Sequence, residues 1–174
     1  PENIDVLAKV IFDPTYMAKR VNQAEGMDLI TTSACNYYDN ITQAEVDSFY
    51  VSIKDPNDKT PISYGLNSRL VKVNDSTIVE QVYKVGGMYS EAITPIVDRL
   101  TEAAKYAEND AQHKVIESLI SYYKTGDLRI FDEYSILWVN DTNSQVDFIN
   151  GFIESYGDPL GMKGAWESIV NFKN

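Results

Sequence analysis

Apolar residues recur at helical spacing along most of the chain. In seven stretches apolar residues recur three or four positions apart, and such periodicity predicts helices. A capping-box sequence, Thr42-Gln43-Ala44-Glu45, marks the start of one of them. Asp127 can cap another, whose inward positions would be Leu128, Phe131, Tyr134 and Trp138. The predicted helices cover residues 4–11, 14–25, 42–53, 90–107, 110–124 and 127–138, and a last one begins at Asn143 or Ser144 and ends at Tyr156.

Strand patterns are fewer. Residues 66–73 and 77–85 are rich in β-branched side chains, and Asn74-Asp75-Ser76 between them predicts the turn of a hairpin. Residues 166–172 alternate apolar and polar side chains, which predicts a C-terminal strand that needs a partner. Residues 28–41 fit neither pattern and are left open. The fold class expected from these elements is α+β, mostly helical, with a β-hairpin and a C-terminal strand.

The junction before the last strand holds the candidate site residues. Phe148, Ile149, Phe152 and Ile153 fall on one helical face, and Gly157 stands where a helix C-cap would lie. Pro159 prevents the helix from continuing. On this interpretation Glu154 and Tyr156 lie at a helix end, where a carboxylate is electrostatically disfavoured, and Glu167 lies near a strand start. Side chains at such junctions often face a cleft.

The charge of the chain narrows the classes of partner. The 174 residues carry 15 basic and 26 acidic side chains, a net charge of −11. Nucleic-acid binding needs basic patches, so the composition argues against that class. An acidic surface could favour a cationic ligand such as a peptide N-terminus, although solubility is the more general interpretation. No apolar run approaches the roughly 18–20 residues of a membrane span, so no membrane association is expected.

Cysteine content and the N-terminal sequence predict a compartment. Cys35 is the only cysteine, which excludes a disulfide framework and favours a reducing environment. The acidic start of the chain has no basic segment of the kind that opens a signal peptide. We therefore expect a cytoplasmic location. Pro1 stands where an initiator Met would, so a processed or excised chain is expected.

Familiar catalytic constellations are missing from the sequence. His113 is the only histidine, and no Ser or Cys constellation neighbours it. Zinc sites use three or four His, Cys, Asp or Glu ligands, and no such set is evident, so no metal ligand and no catalytic residue is predicted in this chain itself. Gly86-Gly87 follows a strand without the further glycine or Lys-Ser/Thr of a phosphate loop. Asp132 and Glu133 are adjacent, so they lie on different helix faces and do not form a catalytic pair.

The segment Phe152-Ile153-Glu154-Ser155-Tyr156, followed by Asp158-Pro159, Gly161-x-x-Gly164 and Glu167, resembles the signature of the dipeptidyl-peptidase III family. Members are zinc exopeptidases that remove dipeptides from peptide N-termini. The similarity extends through residues 90–138 and, more weakly, residues 67–70. It implies that residues 1–174 form a single fragment or subdomain in the lobe facing the metal, N-terminal to the zinc-binding helix. Within it, residues 1–86 would be mixed helix plus hairpin, and residues 87–174 a helical segment ending in a strand.

The resemblance also implies roles for four residues. Glu154 would pair with the free ammonium of a peptide substrate, Tyr156 would hydrogen-bond the peptide near the scissile carbonyl and so support the transition state, and Ile153 would line a subsite. Glu167 matches a second carboxylate of the cleft. The family pattern often has another acid two residues before it, where this chain has Ala165. Zinc would be the cofactor of the parent enzyme, bound by the rest of the parent chain, and this fragment alone would be inactive.

An alternative is a non-enzymatic α+β binding or interaction module that shares the ancestral fold. Some bacterial relatives of the family carry a Nudix-type label. The Nudix box, a glycine-led helix crowded with glutamates and an Arg-Glu pair, is absent from the sequence.

Overall fold

The computed structural model describes residues 3–13 and 20–173. Five α-helices and two small sheets make up this part of the chain, which confirms the α+β class with helix predominating. The helices and strands are, in order, α1 (Ile4–Phe12), β1 (Tyr38–Asp39), α2 (Gln43–Ile53), β2 (Ser68–Asn74), β3 (Thr77–Val82), α3 (Ser90–Ala104), α4 (Asp110–Thr125), α5 (Leu128–Asn140), β4 (Val146–Glu154) and β5 (Ala165–Phe172).

Local capping signals set the helix boundaries as the sequence predicts. Thr42 and Glu45 form the reciprocal capping box at the start of α2. Gly126 ends α4 with φ +73°, and Asp127 immediately caps α5 by accepting a hydrogen bond from Arg129 N–H. A side chain is also sterically excluded at Gly126, because an added Cβ would lie 2.5 Å from Cγ1 of Val82. The α4–α5 turn is therefore a tight helix–helix connection.

The predicted first hairpin is confirmed. Strands β2 and β3 pair antiparallel across the turn at residues 75–76, and β1 adds to β2 in parallel. The first half of the second predicted helix, residues 14–19, lies outside the described residues. Arg20 and Val21, which the same pattern included, are not helical. The open stretch 28–41 consists of turns leading into β1.

The helix predicted over residues 144–156 is wrong. Residues 146–154 form β4, which pairs antiparallel with β5 from Val146↔Phe172 to Glu154↔Ala165. The apolar positions fit a helical stripe, but the segment is rich in β-branched and aromatic residues, and Gly151 costs about 1 kcal/mol relative to Ala in a helix. The partner strand decides the outcome, and β5 is confirmed as that partner. Glu154 therefore ends a strand, and Ser155–Gly157 form one 3₁₀ turn.

The described residues form two apolar clusters, one that includes Phe152 of β4 and one that Leu160 and Met162 of the β4–β5 connection contact. The first cluster packs α3, α4 and α5 against β4 and is built around Leu119, Tyr122 and Tyr123. Leu128 and Tyr134 are buried in it as predicted, whereas Phe131 and Trp138 are only partly buried at its margin. The second cluster packs α2 against β1 and β2. Its buried members are Ile30, Tyr37, Tyr38, Ile41, Val46, Tyr50 and Leu70, with Leu160 and Met162 packed against them.

Candidate functional site

The carboxyl groups of Glu154 and Glu167 lie together at the end of the β4–β5 hairpin. Gly151 pairs with Glu167 and Phe152 with Trp166, but Glu154 then pairs with Ala165, so that Ile153 is an extra residue in β4. Because side chains alternate between the faces of a strand, this bulge moves Glu154 to the face that carries Glu167. A regular ladder would place Ile153 there instead.

The proximity of the two carboxyl groups changes the pKa of Glu167. A hydrogen bond from the carboxyl of Glu167 to that of Glu154, together with partial burial and the negative charge of Glu154, raises the pKa of Glu167. Two carboxylates in contact favour either one shared proton or a bound cation.

The other two predicted site residues flank this pair. Ile153 is partly buried within the bulge. Tyr156 lies on the 3₁₀ turn after Glu154, and its side chain is 73% exposed. The structure thus brings Glu154 and Glu167 together. Tyr156, two positions after Glu154, is open to solvent.

The loop after the turn is held by a buried carboxylate that sequence analysis did not select. Oδ2 of Asp158 accepts hydrogen bonds from the hydroxyl of Tyr38 at 3.0 Å and from the backbone N–H groups of Met162 and Lys163 at 2.8 Å each. Oδ1 accepts a further bond from Leu160 N–H at 3.2 Å. The Asp-Pro motif carries a signal for such a loop, but the partner in β1 is visible only in the fold.

A buried lysine in the same loop was also missed. Lys163 is fully buried, and its Nζ donates to the hydroxyl of Tyr50 at 2.8 Å, to Oγ of Ser68 at 3.2 Å and to the carbonyl of Gly65 at 3.3 Å. Tyr50 and Ser68 in turn donate to Oε1 of Glu80, both at 2.7 Å. Burial lowers the pKa of Lys163 to about 8, against the opposing attraction of Glu80 and Asp158.

A pocket of about 470 Å³ adjoins the end of the hairpin. Ala165, the ladder partner of Glu154, lines it together with Phe152 and Trp166. Its walls are mostly apolar and aromatic. The remaining lining residues are Arg20, Asn36, Tyr37, Tyr83, Tyr89, Ala92, Ile93, Ile96 and Gly164.

Neither a metal centre nor a membrane span is found among the described residues. In residues 3–13 and 20–173 no three His, Cys, Asp or Glu side chains come together as a metal site. These side chains therefore do not fit zinc, and no chemical step through zinc is assigned to them. His113 instead faces Glu117 on the surface of α4, with Nδ1 3.3 Å from Oε2. No helix in that part of the chain is long and apolar enough to cross a bilayer.

Comparison with known proteins assigns the sequence that includes the β4–β5 hairpin to one family. The sequence profile of Peptidase family M49 matches residues 65–174, which include the whole β4–β5 hairpin. Dipeptidyl peptidase 3 of Dictyostelium discoideum is 33% identical over 90 residues, 52% of this chain and 13% of that protein. The human dipeptidyl peptidase 3 is 32% identical over 88 residues, 51% of this chain and 12% of that protein.

Solved structures extend the similarity to the fold of nearly the whole chain. DPP III from Caldithrix abyssi superposes with a TM-score of 0.63 over 99% of this chain and 35% of its own, at 18% identity. Dipeptidyl-peptidase III from Corallococcus sp. strain EGB gives the same TM-score over 99% of this chain and 34% of its own. At this identity the comparison shows the shared fold.

The fold and the matched hairpin are those of a metallopeptidase family. The chain belongs to Peptidase family M49, the dipeptidyl-peptidase III family, and the resemblance inferred from residues 152–167 is confirmed. It spans about an eighth of the length of the curated relatives that it matches and about a third of the solved chains.

Proposed function

We propose that this chain is the part of a zinc-dependent dipeptidyl peptidase that binds the N-terminal end of a peptide substrate. The observation that carries the proposal is the contact between the carboxyl groups of Glu154 and Glu167. A peptide's α-ammonium is cationic at neutral pH, and it would relieve the repulsion between two ionised carboxylates. A site that binds the N-terminus fixes the position of the second peptide bond of the substrate. Cleavage of that bond would release a dipeptide.

The neighbouring features suit the rest of a bound peptide. Ile153, at the bulge, would line a subsite for the peptide. The pocket beside Ala165 would take an apolar side chain of one of the first residues of the peptide. Ala165 and Glu167 are two positions apart on β5, which corresponds to about 6.6 Å along a strand. A peptide side chain can span this distance. The remainder of the parent chain would hold the zinc, which would supply the Lewis acid for hydrolysis.

Tyr156 is proposed to hydrogen-bond the peptide near the scissile carbonyl. Its exposed hydroxyl lies two residues beyond Glu154. Such a bond strengthens as charge develops on the carbonyl oxygen, so Tyr156→Phe in the whole enzyme is expected to lower kcat more than it raises KM. A change in KM alone would instead assign Tyr156 to ground-state binding.

The alternative is a non-enzymatic binding module, which would not require a peptide ligand with a free N-terminus. Family membership favours the peptidase. A cytoplasmic location, expected from the single cysteine, stays a prediction.

Peptide titrations on this chain test the proposal. A free tetrapeptide and its N-acetylated form are titrated into the protein, with the Glu side-chain carboxyl carbons followed by NMR. The free peptide is expected to bind about ten- to a hundredfold more tightly, because only it carries the ammonium. Equal affinities, or shifts that leave the carbons of Glu154 and Glu167 unmoved, would overturn the proposal.

A further inference from the structure

Lys163 lies in the loop that joins the two halves of the carboxylate pair. Glu154 ends the strand before this loop, and Glu167 follows Lys163 by four residues. The loop crosses from the first apolar cluster to the second, since Leu160 and Met162 pack against α2 and β1. Its anchorage therefore decides how the end of β4 meets the start of β5.

The ammonium of Lys163 is surrounded by side chains from several elements of the fold. The titratable groups that face its ammonium are Tyr38 of β1, Tyr50 of α2, Glu80 of β3 and Asp158 of the loop itself. Its Nζ is 5.4 Å from the ring centre of Tyr38 and 5.2 Å from that of Tyr50. Glu80 receives hydrogen bonds from Tyr50 and Ser68 rather than from the lysine, so the ion pair is bridged by hydroxyl groups.

Stability alone does not account for a lysine at this place. A buried charged pair is often no more stable than well-packed apolar side chains of the same volume. A lysine differs from apolar side chains because its interactions are directional: its three N–H donors require acceptors at particular positions. Those acceptors belong to α2, β2 and the segment before β2, so the lysine fixes the loop relative to all three.

Backbone contacts transmit this position to the hairpin. Gly164 N–H donates to the carbonyl of Leu66 at 2.7 Å, directly after Lys163. An added Cβ at Gly164 would lie 2.8 Å from the carbonyl carbon and oxygen of Phe152, so the loop passes against β4 at this residue. Ala165 then enters the ladder opposite Glu154, which sets the bulge.

We infer that Lys163 is a positioning residue of the candidate site: it anchors the β4–β5 loop to α2 and β2 and thereby holds the carboxyl of Glu167 against that of Glu154. The meaning of this pair as a peptide site rests on the proposed function, but the positioning itself does not. Without the anchor, the start of β5 can shift relative to β4 and the two carboxyl groups separate.

NMR titration of the Glu carboxyl carbons tests the inference without any peptide. In the wild type the pKa of Glu167 should lie above that of an ordinary glutamate. In Lys163→Met, whose side chain keeps the length and loses the donors, it should fall to the ordinary value. Lys173→Met removes an exposed lysine that follows the same strand and should leave Glu167 unchanged. A loss of global stability by itself leaves the pKa of the folded molecule unchanged, so the readout separates positioning from support of the fold.

A second variant covers the case in which Lys163→Met does not fold. Tyr50→Phe keeps the lysine and removes the hydroxyl that accepts from it, so the pKa of Glu167 should move in the same direction by less. Folded Lys163→Met, or failing that folded Tyr50→Phe, with the wild-type Glu167 pKa would overturn the inference. A response of Glu167 in these variants, together with no preference of the wild type for free peptides, would retain the positioning role and reject the proposed function.

Discussion

The hydroxyl of Tyr38 donates a hydrogen bond of 3.0 Å to Oδ2 of Asp158, although 120 positions separate the two residues in the chain. The same oxygen accepts the backbone N–H groups of Met162 and Lys163. One carboxylate therefore closes the loop that follows the candidate site and also ties that loop to β1. Since Asp158 is 2% exposed, water cannot replace these bonds if the carboxylate is lost.

Asp158→Ala should therefore destabilise the fold strongly. Hydrogen bonds to a charged group each contribute about 1.5–3 kcal/mol, and several are lost together, so the free energy of unfolding should fall by at least about 3 kcal/mol. Urea denaturation measures the change. Asp98→Ala, at an exposed position of α3, serves as the control and should change stability by less than about 0.5 kcal/mol. Comparable small effects for both variants would mean that the loop is not held by Asp158.

Lys163 should give the protein an unusual dependence of stability on alkaline pH. Its pKa is about 8 in the folded protein and has the ordinary lysine value of 10.5 in the unfolded chain, so between these values the unfolded chain binds more protons. Stability then rises with pH in this window. The rise should reach about 2–3 kcal/mol by pH 10. Above pH 10 buried tyrosines oppose it, because burial raises the pKa of Tyr134 to about 12 and the folded state keeps a proton that the unfolded chain loses.

Urea midpoints between pH 7 and pH 10 measure this dependence. Lys163→Met removes the titrating group, so the rise of the wild-type profile should be absent from the profile of the variant. A wild type without the rise, or a variant with the same rise, would show that Lys163 keeps its ordinary pKa in the folded protein.

Gly164 should not tolerate a side chain. The Cβ of Gly164→Ala would meet the backbone of Phe152 at 2.8 Å, and backbone cannot move aside without disturbing the β4–β5 ladder. We expect a loss of about 1–3 kcal/mol in urea denaturation. Gly157→Ala is the matched control, because its nearest contact, at 3.1 Å, is the flexible end of Arg20. If Gly157→Ala costs as much as Gly164→Ala, the close approach to Phe152 is not the cause.

Peptide binding should weaken on mild acidification. The ammonium of a peptide prefers the doubly ionised pair, and the pKa of Glu167 is raised by its contact with Glu154. As pH falls through this raised value, Glu167 takes up a proton and the attraction for the cation decreases. Affinities measured from pH 7 to pH 4 should therefore decline at a higher pH than an isolated glutamate would give. In Glu154→Gln the decline should move to lower pH, and an unmoved profile would refute the coupling.

The sequence predicts those parts of the fold whose signals are local. The capping box at Thr42, the glycine at the end of α4 and the turn at residues 74–76 each act within a few residues, and all three are confirmed. The segment over residues 144–156 is different, because its apolar pattern suits a helix and a strand alike. Pairing with β5, which no local signal reports, decides in favour of the strand.

The candidate site follows the same division. Glu154 and Glu167 are identified from a sequence motif, but their contact depends on a bulge in the β4–β5 register. The network of Lys163 joins residues from α2, β2 and β3 that lie about a hundred positions away. Local sequence patterns do not predict these contacts, because residues so far apart in the chain meet only in the completed fold.

Binding of free and N-acetylated peptides to Glu154→Gln tests the central claim most directly. Glu102→Gln is the control, because it makes the same change of charge at an exposed ion pair on α3. With the free peptide, Glu154→Gln should lower the affinity about ten- to a hundredfold, whereas Glu102→Gln should leave it unchanged. With the N-acetylated peptide, which lacks the ammonium, Glu154→Gln should have little effect. Equal losses for the free and acetylated peptides would show that Glu154 does not bind the N-terminus and would contradict the account.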